Sequence, residues 1–272
     1  MPLVLCGTPI GNLGDTSRRL VEALRSADVV FAEDTRRSRT LLDHLGIDKP
    51  LRSFFAGNEQ LRVAELSERL ARGETVALVT DAGMPAISDP GLAAVRAARA
   101  VQADVTVVPG PSAVTAALAV SGLPSERFVF EGFLPRKGGD RSRRIDQLAQ
   151  ETRTTVFFAS PRRVGNDLED LAAAAGGERP VFVARELTKL YEELWWGTLG
   201  EAADRFRDTQ RGEFTVVLGG APVREPDFDE ALEEVRALMA EGEPLAGAVR
   251  EVARRLRVPR GRLYEAALKE KG

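Results

Sequence analysis

The chain is predicted to be an α/β protein, with two α/β domains in series and a small helical, helix-turn-helix-like domain behind them. Three observations predict this. Short β-branched runs alternate with amphipathic stretches through the first 120 residues, the rhythm of a mostly parallel sheet with helices on both faces. The stretch "SGLPSER", Ser121 to Arg127, breaks that rhythm, and strands dominate afterwards. The Pro/Gly-rich "GGAPVREPDF" then reads as a linker, with only helical periodicity beyond it. The expected domains are residues 1–120, 121–222 and 223–272.

In the first domain the strand candidates are "LVLCG", "DVVFAE", "LRSFF", "TVALVT" and "VTVVPG". The helix candidates between them are Ser17 to Ala27, Arg36 to Leu45, Glu59 to Arg72, Pro90 to Val101 and Ser112 to Val120. The second domain offers the strands "RFVFEGFL", "TTVFFAS", "PVFVARE", "ELWWGTL" and "EFTVVLGG", with helices at Arg141 to Gln150 and Val164 to Ala175. Asp229 to Ala240, Leu245 to Arg257 and Arg260 to Lys269 read as the three helices of the tail.

Composition narrows the chemistry. Among 272 residues, 43% are hydrophobic and 29% charged, as in a globular chain with a large core. Cys6 and His44 are the only cysteine and histidine. A zinc centre, a Ser-His-Asp triad and a Cys-His pair are therefore not expected, and no metal is implied. No apolar run is long enough for a membrane span, and the N-terminus lacks a signal peptide's layout, so a cytoplasmic setting is expected. Net charge is −3, so any nucleic-acid binding has to come from local basic patches.

Four loops at strand ends carry the candidate chemistry. "GTPIGNL", Gly7 to Leu13, follows the first strand, but its glycines fit neither the triphosphate nor the dinucleotide pattern. "AEDTRRSRT" packs Glu33, Asp34 and Arg36 at the end of the second strand, where the acids also suit a helix N-terminus. "TDAGMPAISDPG", Thr80 to Gly91, follows the fourth and is longer than a turn requires. "PGPSAV" follows the fifth, with Ser112 placed to cap the next helix. Open α/β sheets bind ligands at the carboxyl ends of their strands, so these loops should line one rim.

The motifs "GTPIGNLGDTSRR", "AEDTRRSRTLL", "NEQLR", "TDAGMPAISDPG", "PGPSAVTAAL", "SGLPSERFVFEGFLPRK", "ARELTKLYEE" and "GEFTVVL" resemble, in this order, those of the ribosomal RNA small subunit methyltransferase I family, within the tetrapyrrole methylase superfamily. The resemblance covers about residues 3–220. It implies a fold of the tetrapyrrole methylase type, with S-adenosylmethionine in the cleft between two α/β domains. It also implies 2′-O-methylation of cytidine 1402 in 16S rRNA of the small ribosomal subunit, and a homodimer. The implied cofactor shell is Pro9 and Ile10, Asp81 and Met84, Ser112 and Ala113, Phe158 and Ala159, and Leu187. The chain departs from the family where members often carry histidines and a glutamate: it has "SFFAGNE" with Phe55 and Gly57 at the histidine positions, and "FASPRR" with Ala159 at the glutamate position and Arg162 at a histidine position. A mechanism through those histidines or that glutamate cannot operate here.

Methyl transfer to a ribose hydroxyl needs alignment and a proton acceptor. The candidates are Glu33, Asp34, Glu59, Glu186 and a low-pKa Lys189, and sequence does not choose among them. Arg36 and Arg185 are candidates for holding flanking phosphates; alternatively, Arg185, Glu186 and Lys189 form a structural ion-pair cluster. "LPRKGGDRSRR" has five basic residues, Arg136, Lys137, Arg141, Arg143 and Arg144, against one acid, and is expected to be a mobile phosphate-gripping loop. From Arg250 to Gly272 there are eight basic and three acidic residues, and "LRVPRGRLYEAAL" reads like half of a helix-turn-helix. Two other functions fit part of this pattern, a tetrapyrrole C-methyltransferase and a non-catalytic RNA-binding protein.

Overall fold

The computed structural model describes residues 2–222, 228–256 and 258–269. The chain forms two compact units that divide between Ala221 and Pro222. Residues 223–227, within the expected linker, and Arg257, the expected end of a tail helix, lie outside the described residues.

The first unit begins with a parallel sheet of β1 (Leu3–Cys6), β2 (Val29–Ala32), β3 (Leu51–Ser53), β4 (Val76–Val79) and β5 (Val105–Val108), in the order β3-β2-β4-β1-β5. Its strands alternate between two cores. Val4, Cys6, Val30 and Ala32 pack with Leu20 and Leu24 of α1 (Arg18–Ser26) and Leu42 of α2 (Thr35–His44). Leu3, Val29, Phe31 and Val76 face the other way, onto Leu66 and Leu70 of α3 (Glu59–Ala71) and Ala94 and Ala98 of α4 (Leu92–Ala100). A sheet covered on both faces needs apolar residues at every strand position, which is why β2 and β4 are continuous apolar runs. Burial pushes the Cys6 thiol up to about 12, so it is an inert core group.

Local chemistry sets the ends. Ser17 caps α1 by accepting the Leu20 N–H at 3.0 Å. The predicted strand "LRSFF" stops at Ser53: Phe54 turns into the core against Phe31, and Asn58 accepts the Phe55 N–H at 2.8 Å to form a turn. Ser112 stands at the N-cap of α5 (Ala113–Ser121), but its side chain makes no capping bond, contrary to expectation.

The second sheet has the order β6-β7-β10-β8-β9, from β6 (Phe128–Phe133), β7 (Thr154–Ala159), β8 (Pro180–Arg185), β9 (Glu193–Thr198) and β10 (Phe214–Leu218). Only β6 and β7 pair in parallel. One face packs on α6 (Gly139–Gln150), α7 (Val164–Ala175) and α8 (Leu199–Phe206). The other receives α5, whose Val114, Ala117 and Leu118 meet Val156, Phe182 and Val217. The helix that follows the first sheet thus covers the second. α8 was not anticipated, although "TLGE" is a capping box: Thr198 and Glu201 exchange side chain-to-backbone bonds at its start. Buried Arg179 donates to the carbonyls of Leu148, Ala149 and Glu151, closing the C-terminal end of α6.

The expected mobile basic loop is instead a tethered turn and the first turns of α6. Arg141 donates to Asp167 at 2.7 Å, to Asp170 at 2.5 Å and to the Pro135 carbonyl at 3.1 Å. Arg163 adds bonds to the Leu134 and Pro135 carbonyls and to Asp167. Arg143 pairs with Asp140, and Arg144 with Glu131. Only Arg136 and Lys137 of the five are exposed and, among the described residues, unpaired. The reason is that the partner acids, Asp140 apart, lie in other elements, outside the window that made the stretch look basic.

The second unit is three helices, α9 (Phe228–Ala240), α10 (Leu245–Arg255) and α11 (Arg260–Lys269), around Val235, Val249, Val252 and Leu263. Among the described residues, no helix is long and apolar enough to cross a membrane.

Candidate active site

The glycines of "GTPIGNL" serve contact between backbones. A Cβ on Gly7 would lie 2.6 Å from the Gly110 nitrogen, and one on Gly110 would lie 2.6 Å from the Gly7 carbonyl oxygen. The loops after β1 and β5 can therefore cross only if both residues lack side chains. Thr8 and Gly83 then exchange backbone bonds of 2.9 and 3.2 Å, which ties the β1 loop to the β4 loop. Three of the four special loops are joined in this way.

They open onto a cleft of about 470 Å³ between the two sheets. Its apolar wall includes Ile10, Met84, Ile87, Phe133, Phe158 and Leu187, and its charged lining is Glu33, Arg37, Asp81, Asp89, Lys189 and Glu213. Ser112, Ala113 and Ala159 also line it. Pro9 faces an adjoining cavity of about 210 Å³, together with Leu13 and Leu41.

The carboxylates form an ordered group. Glu33 Oε2 accepts the Thr80 hydroxyl at 2.7 Å. Asp81 Oδ1 accepts the Asp34 N–H at 3.0 Å, and Oδ2 pairs with Arg37 at 3.2 Å. Burial, with the Glu33 charge, raises the Asp81 carboxyl, against the opposing Asp34 N–H and Arg37. Burial also pushes Asp89 up to about 6, aided by the charges of Glu33 and Asp81 and opposed by the Thr80 hydroxyl. Asp89 and Arg37 were missed as individual residues. Asp89 could have been found only as a member of the long loop, and Arg37 only as the neighbour of Arg36.

Several sequence candidates are placed or paired otherwise than expected. Asp34 is the N-cap of α2, where hydrogen bonds from the Arg36 side chain and backbone hold it well below the usual carboxylate range. Arg36 is turned onto Asp34 at 2.7 Å, and Arg37 takes the cleft position instead. Glu59 accepts the Gly91 N–H at 3.1 Å and braces the β4 loop. Arg185 pairs with Glu193 at 3.4 Å and lies over the Phe214 ring, as in the alternative of a structural ion-pair cluster. Lys189 contacts Glu186 at 3.0 Å and Glu213 at 2.9 Å. Burial would lower the Lys189 pKa, but the two carboxylates outweigh it and the net shift is upward. Lys189 therefore lacks the lowered pKa that its candidacy as a base required. Burial likewise raises Glu186, yet bonds from Lys189 and the Glu213 N–H leave it below its ordinary value. Glu186 and Thr188 have left-handed φ angles of 52° and 66°, so this cluster holds a strained loop beside the cleft.

Residues 2–203 match the model of the Tetrapyrrole (Corrin/Porphyrin) Methylases. The chain is 44% identical to ribosomal RNA small subunit methyltransferase I of Synechocystis sp., over 98% of this chain and 97% of that protein. It is 45% identical to the protein of that name in Mycobacterium tuberculosis, over 99% and 95%. The chain belongs to this family. Solved structures agree on the tetrapyrrole methylase fold. A cobalt precorrin-4 methyltransferase overlays with a TM-score of 0.61 at 20% identity, over 80% of this chain and 94% of that one. A uroporphyrin-III C-methyltransferase from Thermus thermophilus, complexed with S-adenyl homocysteine, gives 0.57 at 18% identity, over 79% and 96%. In this member of the small subunit methyltransferase I family, all the strand-end loops flagged in the sequence reach the cleft, and the second sheet supplies its opposite wall.

Proposed function

We propose that the chain uses S-adenosylmethionine to methylate the 2′-hydroxyl of cytidine 1402 in 16S rRNA of the small ribosomal subunit, acting as a cytoplasmic homodimer. The cleft carries this reading, supported by the name shared with full-length relatives. Its lining fits the cofactor. Ile10, Met84, Phe158 and Leu187 offer apolar surface for the adenine and the methionine chain. Ser112 keeps its hydroxyl out of helix capping and available at the N-terminus of α5. Asp81 and Glu33 place negative charge where a sulfonium would be favoured.

When bound, S-adenosylmethionine supplies an electrophilic methyl group on a good leaving group. The protein contributes alignment and a charged setting. Phe133 and Ile87 are exposed apolar groups at the cleft, suited to contact with an unstacked base. Arg136 and Lys137, together with the basic tail, are the proposed phosphate contacts, and the tail is read as a separate RNA-directed domain from residue 223. The deciding experiment is methylation mapping of 16S rRNA from a strain lacking this gene, with and without complementation. Loss and recovery of the cytidine 1402 methyl group is expected. A methyl group that persists without the gene overturns the assignment.

A further inference from the structure

The proposed reaction needs an acceptor for the hydroxyl proton, and most carboxylates near the cleft already hold donors. Glu33 accepts from Thr80, Asp81 is held by Asp34 and Arg37, and Glu213 is paired with Lys189. Asp89 differs. Among the described residues its carboxylate takes part in no ion pair, and the Thr80 hydroxyl, which opposes the rise of its pKa, lies 2.7 Å from Glu33, to which it donates.

The loop around Asp89 is built to keep it in the wall. Ala86 and Ser88 adopt left-handed φ angles of 69° and 62°, and the Ala86 N–H donates to the Pro90 carbonyl at 3.1 Å. Glu59 accepts the Gly91 N–H at 3.1 Å. Gly132, at φ 63°, leaves room for Ser88, whose Oγ would stand 3.0 Å from a Cβ there. A loop fixed from both sides holds the Asp89 backbone in the cleft wall, and proton transfer needs such a fixed position for the acceptor.

We propose that Asp89 is the catalytic base: its carboxylate takes the 2′-hydroxyl proton as the ribose oxygen bonds to the transferred methyl carbon. The carbon–sulfur bond of the donor breaks in the same step. The electron pair stays with sulfur, which leaves as a neutral thioether, and the proton passes from Asp89 to water after product release. This rests on the reading of the cleft as a ribose methylation site.

Burial pushes the Asp89 carboxyl up to about 6, with Glu33 and Asp81 adding to the effect, which makes it a stronger base than an ordinary carboxylate while still ionised at neutral pH. The other charged groups facing the cleft are Glu33, Arg37 and Asp81 from the first sheet's side, and Lys189 and Glu213 from the second. Both cations are engaged elsewhere, Arg37 by Asp81 and Lys189 by Glu186 and Glu213.

The test is the pH dependence of kcat/KM for methyl transfer to small ribosomal subunits lacking the modification, for wild type, Asp89→Asn and Asp89→Glu. Cofactor affinity is measured by calorimetry alongside. For the wild type, kcat/KM should rise with pH through about 6 and then level off. Asp89→Asn should lose about 10²- to 10⁴-fold and the acidic limb, with cofactor affinity kept, and Asp89→Glu should recover part of the rate. A wild-type profile flat between pH 5 and 7 overturns the role of Asp89 without recourse to any variant. So does Asp89→Asn with near wild-type rate and an unchanged limb. If the wild type transfers no methyl group to the subunit, the proposed function itself falls; if it does and Asp89→Asn does so equally, only the base is wrong.

Discussion

At Asp89, stability and activity should pull in opposite directions. Its folded carboxyl lies at about 6, above the roughly 3.9 of an unfolded chain. A carboxyl raised on folding favours the native state while protonated. That contribution is complete below about 3.9 and is lost as pH rises through about 6. At pH 7 the native state therefore holds a costly ionised group. Asp89→Asn should gain about 1–2 kcal/mol at pH 7, after discounting for partial exposure, and little at pH 4. Melts at the two pH values check this, and an equal or lower melting temperature at pH 7 would show that the ionised form is the favoured one. Asp81 is the contrasting case, because it is tied to α2 by the Asp34 N–H and Arg37. Asp81→Ala should weaken cofactor binding by about tenfold or more, the worth of a bond to a charged group. Met84→Ala should cost less, since Met is an adaptable packing residue. Calorimetric affinities for the two variants decide, and wild-type binding in Asp81→Ala would make that loop structural only.

At the scale of elements, α6 separates two meanings of a basic stretch. Asp167 is 2% exposed and is held by Arg141 and Arg163, so removing Arg141 leaves a buried charge short of a partner. Arg141→Ala should cost about 3 kcal/mol in urea unfolding without changing the salt dependence of RNA binding. Replacing Arg136 and Lys137 should do the reverse. Stability should hold, while the log–log salt slope falls by about 0.7 to 0.9 for each phosphate that the variant no longer neutralises. A salt slope unchanged in the second variant would make that turn a solvated surface.

For the whole molecule, the two compact units predict separable behaviour. Every residue lining the cleft lies between Ile10 and Thr215, within the first unit, and the three tail helices have a core of their own. Deleting residues 223–272 should therefore leave cofactor binding intact while methyl transfer to the subunit falls. Cofactor at about 100 times its dissociation constant should stabilise both full-length and truncated chains by about 2.7 kcal/mol. Thermal melts with and without cofactor measure this. A truncated chain that no longer responds would place part of the cofactor site in the tail.

The sequence by itself determined the order of nearly all the strands and helices, because burial on both faces of a sheet or on one stripe of a helix leaves a local periodic trace. It also marked the loops that line the cleft. The strand-end loops stand out by their glycines and prolines, and Thr80 to Gly91 is too long for a turn. Only the tertiary structure decided which charged groups face the cleft and which are paired. Arg141 meets Asp167 and Asp170, Lys189 meets Glu213, and Asp81 meets Arg37, all pairings between residues distant in the chain. It also decided that Arg37 rather than Arg36 enters the cleft, that α5 covers the second sheet, and that Asp89 is a raised carboxyl. The reason is physical: periodicity is a property of neighbours along the chain, whereas a pKa depends on burial and on charges brought near by folding.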